Sequence, residues 1–194
     1  MKTRARFGRE RFERLYAADP DPWDYGSSEY EREKYARTLA ALGPGPFGRV
    51  LEVGCSIGIF TERLAPLCRE LVAIDFSRRA LELARERLDD HHNVETVPAS
   101  FPEDVPEGPW DLIICSEVLY YLDRPALGRA IAWLRTQLQL DAVVVVVSWR
   151  GEGDEPFAGE EVHERLQREL ARWHAHDDRQ PGYVLDRFES DGVV

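Results

Sequence analysis

The stretch Glu52-Val53-Gly54-Cys55-Ser56-Ile57-Gly58 decides the fold, because Arg49 to Val53 before it reads as a strand and Ile59 to Leu67 after it as a short helix ending near Pro66. Glycines at a strand-to-helix turn permit tight backbone geometry and close approach of a ligand, and the helix that follows offers free N–H groups. The pattern is not a phosphate fingerprint. Gly-x-x-x-Gly lacks the middle glycine of the dinucleotide motif, and no Gly-Lys-Ser/Thr follows. Glu52 would repel a pyrophosphate at this point, whereas its charge suits a cationic amino-acid ligand.

Outward from that turn, Leu71-Val72-Ala73-Ile74-Asp75 reads as the next strand, and Ser77 caps a helix with Leu81, Leu83, Ala84 and Leu88 on its apolar side. Asp75 lies 21 residues after Gly54, at the carboxyl edge beside the glycine turn, where a carboxylate can accept both hydroxyl protons of a ribose. A glycine turn alone is often only a turn, and a strand-end acid is often only a helix cap. Together, at this spacing, they point to a nucleoside. Asn93 to Val97, Asp111 to Cys115 and Ala142 to Trp149 supply three more strands, with a helix from about Pro125 to Leu140 before the last. This alternation implies an α/β fold whose parallel sheet is covered on both faces.

The two ends of the chain read differently. Gly151 to Pro156 is a polar loop and Gly159 to Leu170 a helical pattern. Arg172 to Asp178 and Tyr183 to Glu189 then flank the turn Gln180-Pro181-Gly182 as an antiparallel hairpin. Upstream, Ser28-Glu29-Tyr30-Glu31 opens a helix with Tyr35, Thr38, Leu39 and Leu42 on one face, and Gly8 to Ala18 forms another. The boundary falls in Gly43 to Gly48, giving a helical lid over 1–48 and a core domain over 49–194.

A length of 194 residues suits one compact core that needs neither disulfides nor a structural metal. The formal charge of −11 argues against a phosphate backbone as partner, so no nucleic acid is expected. Cys55, Cys68 and Cys115 read as reduced thiols of a cytoplasmic protein, and no pair has metal-ligand spacing. The basic Met1 to Arg6 segment is followed by no apolar run, and Ala142 to Val147 is too short to span a bilayer, so neither a signal peptide nor a membrane association is expected. His174, His176, Asp177 and Asp178 cluster in the hairpin; we read them as solvated rather than as metal ligands. Nothing in the sequence sets an oligomeric state.

Over nearly its whole length the chain resembles the class I S-adenosylmethionine-dependent methyltransferases, and within them the NodS family. The carrying segments are Asp19-Pro20-Asp21-Pro22-Trp23, Tyr30 to Tyr35, Glu52 to Gly58, Ser116-Glu117-Val118-Leu119-Tyr120-Tyr121-Leu122, Trp149-Arg150 and Val162-His163. The resemblance implies a Rossmann-like, seven-stranded, mostly parallel sheet with S-adenosylmethionine as co-substrate and no metal. It also implies a small amine-bearing acceptor such as a deacetylated glucosamine unit. Glu52, Gly54, Cys55, Ser56 and Gly58 would surround the methionine half. Asp75 would bind the ribose, with Phe76, Ser100 and Phe101 about the adenine. Ser116 and Glu117 would lie where the methyl meets the acceptor. Trp23 and Lys34 would close the site from the lid, and Tyr121 and His163 would contact the acceptor. Glu117 could remove a proton from an ammonium or merely bind the co-substrate. Ser148 stands where the resemblance leads one to expect a histidine, which leaves the acceptor open. O-methylation of a hydroxylated metabolite and a non-catalytic S-adenosylmethionine-binding partner are the alternatives.

The charge is unevenly spread. Residues 151–194 hold 12 acidic against 5 basic side chains and residues 1–16 hold 6 basic against 2 acidic, so an acidic rim facing a basic lid is expected to favour a cationic acceptor.

Overall fold

The structure is a computed structural model and describes residues 7–190; the expected basic start at Met1 to Arg6 lies outside them. Five strands, β1 (Phe47–Val53), β2 (Cys68–Asp75), β3 (Val94–Pro98), β4 (Leu112–Ser116) and β5 (Val143–Trp149), run parallel. The hairpin β6 (His174–Arg179) and β7 (Tyr183–Phe188) completes a seven-stranded sheet of order β3-β2-β1-β4-β5-β7-β6, with β7 antiparallel to both neighbours. The near-continuous apolar runs of β1, β2, β4 and β5 follow from burial on both faces.

Side-chain alternation divides the core in two. Leu51, Val53, Ile113, Cys115, Val144 and Val146 face α5 (Arg124–Leu138) and α6 (Gly159–Glu169). Val50, Leu112, Ile114, Val145 and Val147 face the opposite side, where α1 (Arg9–Ala18), α2 (Glu29–Ala41) and α3 (Ile59–Leu64) deliver Phe12, Tyr16, Tyr35 and Phe60. The N-terminal helices therefore bury their apolar faces in the same core as the sheet. Helix α4 (Arg78–Arg87) packs Ala80 on that face and Leu81 against Ala73.

Capping sets the helix starts. Ser28 accepts from Glu31 N, Ser77 from Ala80 N and Asp123 from Ala126 N, and Pro125 occupies the first turn of α5. Differences from the sequence reading are local. The helix after the glycine turn ends at Leu64, and β2 begins at Cys68 rather than Leu71 because Cys68 to Glu70 pair in register with Phe47 to Arg49. The hairpin starts at His174, and Ala171 to Trp173 form a separate tight helical turn. All three cysteines are free and buried. Among the described residues no helix is long and apolar enough to cross a membrane, and no group of three His, Cys, Asp or Glu side chains could hold a metal ion.

Candidate active site

Strand β1 stands between β2 and β4, so the chain leaves the sheet in opposite directions on its two sides, and a crevice opens at the carboxyl ends of these strands. It holds a cavity of about 300 Å³, enough for a nucleoside-sized ligand. The sheet supplies Glu52, Gly54, Cys55, Ser56, Asp75, Phe76, Ser116 and Glu117 to its wall, and Ser100 and Phe101 close one end. From the N-terminal segment come Phe12, Tyr16, Trp23 and Tyr25.

Backbone geometry explains the glycine turn. Gly54 has φ +79°, and a Cβ built there would stand 2.2 Å from Val118 Cγ2. Gly58 has φ +81° with its absent Cβ directed at Ala84 and Leu88, both 3.2 Å away. The two glycines do different work: Gly54 admits the β4 turn to the cavity floor, whereas Gly58 lets α4 pack close and is not part of the wall. We expect Gly54→Ala to lower stability by about 1–3 kcal/mol from the left-handed backbone and the clash, a fall of roughly 2–10 °C in melting temperature that thermal denaturation would read. Two non-glycine wall residues, Ser56 (φ 52°) and Glu117 (φ 58°), are also left-handed. Such backbone costs of order 1–3 kcal/mol each and persists where surrounding bonds over-determine it. Glu117 N donates to Val147 O at 2.9 Å, and Tyr16 Oη lies 2.6 Å from Ser56 Oγ.

Asp75 is buried at the end of β2. Its Oδ2 accepts from Ser56 N at 3.1 Å and its Oδ1 from Ser77 N at 2.8 Å. Burial pushes its carboxyl up to about 6 despite these bonds. Each oxygen retains acceptor capacity toward the cavity, the arrangement a vicinal diol requires. Glu52 is 2% exposed and, among the described residues, its Oε2 has no hydrogen-bond partner; burial pushes this carboxyl up to about 7. A buried orphan oxygen of this kind is costly unless a ligand supplies the missing donor.

At the end of β4, Glu117 gathers three donors. Lys34 Nζ reaches Oε1 at 2.8 Å, while the Tyr120 hydroxyl and Trp149 N reach Oε2 at 2.6 and 2.9 Å. Its carboxylate is thereby fixed in one orientation beside Ser116.

Two other expected site residues lie away from the cavity wall. Lys34 does not line the cavity: it is 2% exposed and lies behind Glu117, between it and Glu31. His163, expected at the acceptor, is fully buried on the inner face of α6, with Nδ1 2.6 Å from Asp186 and Nε2 3.1 Å from Ser148. Its ring therefore braces α6 against β5 and β7 and cannot touch a ligand in the cavity. Tyr30 packs on the hairpin and donates to Gly182 O at 2.9 Å. Tyr121 does line the cavity, but Tyr120 does not. Glu13 escaped the sequence reading. From α1 it accepts Arg78 N at 2.8 Å, Arg79 N at 3.2 Å and the Ser77 hydroxyl at 3.1 Å, so it caps α4 from outside and docks α1 over the cavity. Burial pushes its carboxyl up, but these backbone bonds outweigh that and hold it below its ordinary value.

A sheet of this order, with a glycine turn after β1 and an acid ending β2, defines the class I S-adenosylmethionine-dependent methyltransferase fold. Within that class the chain belongs to the NodS family, since the family model for Nodulation protein S (NodS) matches residues 8–155. It is 37% identical over 113 residues to Nodulation protein S of Sinorhizobium fredii, covering 58% of this chain and 52% of that protein. Nodulation protein S of Rhizobium tropici is 40% identical over 127 residues, covering 62% of this chain and 53% of the relative. The chain thus spans about half the length of these two relatives. The crystal structure of N-methyltransferase NodS from Bradyrhizobium japonicum WM9 in complex with S-adenosyl-L-homocysteine superposes with a TM-score of 0.76 at 25% identity, covering 94% of this chain and 97% of that one.

Proposed function

We propose that the protein is an S-adenosylmethionine-dependent N-methyltransferase acting on a small amine, an amino sugar of the deacetylated glucosamine type. The observation that carries this reading is Glu117, a carboxylate locked by three donors at the cavity floor, where it can orient an ammonium or take its proton. The chain's residues fit the co-substrate. Glu52 offers an orphan carboxylate oxygen to an amino group, Gly54 lets the chain turn at the wall where Val118 presses against it, and Asp75 presents both oxygens to a diol. Cys55, Ser56 and Trp23 complete the wall about the methionine half, and Phe76, Ser100 and Phe101 that about the adenine. Bound S-adenosylmethionine supplies an electrophilic methyl group on a sulfonium. Alignment of the amine with that carbon provides most of the acceleration, and the residues serve chiefly to hold and orient.

The test is methyl transfer to matched amine and hydroxyl acceptors, glucosamine against glucose, followed by mass spectrometry of product and S-adenosylhomocysteine. Methylation of the amine alone is expected. Transfer to hydroxyls only, or tight cofactor binding with no transfer across an amine panel, would replace this reading with O-methylation or a binding partner.

A pH dependence follows from the raised carboxyls. The free folded protein holds protons on Asp75 and Glu52 up to about 6 and about 7, above their unfolded values of 3.8 and 4.5. These two groups therefore oppose folding increasingly as pH climbs from about 4 to about 7. A ligand that engages them as carboxylates binds more tightly over the upper part of that window. Affinity for S-adenosylhomocysteine should rise at least tenfold between about pH 5 and pH 8, and a flat calorimetric profile would remove both carboxylates from the site.

A further inference from the structure

The cavity floor is backed by a second carboxylate that the proposed transfer has not yet used. Lys34 Nζ, 2.8 Å from Glu117 Oε1, also stands 2.9 Å from each oxygen of Glu31 on the same helix α2. Glu31 is 7% exposed and Lys34 2% exposed, so one ammonium is shared by two carboxylates out of water. The buried cluster carries one negative charge in excess. Lys34 donates to Glu31 Oε1, and the same ammonium is ion-paired with Oε2. Tyr35 also faces Glu31, with Glu52 beyond it; the Tyr30 ring lies 5.3 Å from the ammonium, and the Tyr120 hydroxyl and Trp149 N close the far side of Glu117. Lys34 is the one cation among these groups.

We propose that Glu31 is the store for the proton that the amine acceptor loses, reached from Glu117 through Lys34. The inference rests on the amine reading of the site. An N–H bond of the acceptor ammonium breaks and its electron pair stays on nitrogen as the nucleophilic lone pair, while the proton forms an O–H bond on Glu117. Lys34 takes that proton as it passes one of its own to Glu31. Lys34 ends as the ammonium it began as, Glu117 is again an ionised acceptor, and Glu31 is a neutral acid. The cluster goes from one negative charge to none, so the single proton fits the single charge in excess. Burial pushes the Glu31 carboxyl up, only partly offset by Lys34. Lys34 itself is held above its ordinary value because Glu117 and Glu31 outweigh its burial, so it is an ammonium both before and after the exchange.

Infrared difference spectra of the full chain with S-adenosylhomocysteine bound, recorded on adding glucosamine, test this without turnover. The wild type is expected to gain the C=O stretch of a protonated carboxylic acid. Glu31→Gln should lack that band, and Glu31→Asp should keep it, shifted. In turnover, Glu31→Gln should lower kcat about tenfold at neutral pH and displace the acid limb of the pH profile, with Glu31→Asp restoring most of both. Gln is isosteric and leaves Lys34 paired with Glu117, so the fold should persist, as circular dichroism would record. A band that survives in Glu31→Gln, or no band in a wild type that methylates glucosamine, overturns the store while the amine reading stands. A wild type that methylates no amine overturns that reading and the store with it.

Discussion

Replacing Asp75 by Ala should cut the affinity for S-adenosylhomocysteine by about 100-fold or more while leaving the fold in place. Hydrogen bonds to a charged group are worth about 1.5–3 kcal/mol each, and a ribose offers two hydroxyls, so the sum lies near 3–6 kcal/mol, a factor of roughly 10² to 10⁴. The fold should tolerate the change because burial raises this carboxyl to about 6 in the free protein, so its ionised form at neutral pH opposes folding. What the variant loses locally is an acceptor for Ser56 N and Ser77 N. Water entering from the cavity can satisfy the first, and Ser77 still caps α4 through its own hydroxyl. Asp75→Asn separates charge from shape, since one amide oxygen remains to accept while the NH2 faces donors, and its affinity should fall between the two. Calorimetry with the three proteins decides the matter. Unchanged affinity in the Ala variant would take Asp75 out of the site.

Most of the sheet was legible because its signals are local. The runs around Val50, Ile74, Ile113 and Val145 are apolar on both faces, and glycine, proline and serine mark their ends, so order along the chain predicts the parallel core. The cavity wall was legible for the same reason, since strand ends after an α/β crossover converge on one edge. What escaped depends on partners far apart in sequence. Nothing within a few residues of Lys34 announces that it will meet Glu117, 83 positions on, or that Glu13 will cap a helix 65 positions away. Burial turns Lys34 from a solvated charge into a structural one, and bonds to the first amides of α4 do the same for the half-buried Glu13. His163 is a different failure, because the signal was present. Gly159, Val162, Leu166 and Leu170 form a stripe at helical spacing, and His163 falls on it, three residues before Leu166 and seven before Leu170. Asp186 likewise shares the face of Val184 and Phe188 by alternation. The two stripes thus carry the histidine and the aspartate into the core, where they meet. Gly58 belongs to the same motif, but its absent Cβ is directed at Ala84 and Leu88, so close packing of α4 also requires a glycine there.

Glu117→Gln should lower kcat for an amine acceptor by about 10²- to 10⁴-fold while affinity for S-adenosylhomocysteine changes little. The carboxylate lines the cavity, yet three donors behind and beside it hold the group still, and a glutamine keeps its size. Two things change. The negative charge that would orient an ammonium disappears, and one former acceptor atom becomes an NH2 that cannot accept from Lys34 or from Tyr120 and Trp149. The lysine is not stranded, because Glu31 remains 2.9 Å away and the pair is then neutral, so the buried cluster loses its excess charge without exposing an unpaired ion. Stability should therefore hold while transfer fails. The left-handed backbone at Glu117 is independent of side-chain charge and also survives in the variant. Steady-state kinetics with glucosamine and calorimetry with S-adenosylhomocysteine distinguish the two roles this residue can have. A large fall in cofactor affinity with kcat retained at saturation would make Glu117 a co-substrate ligand. A fall in kcat alone places it against the amine, and its size measures how much of the reaction depends on removing that proton.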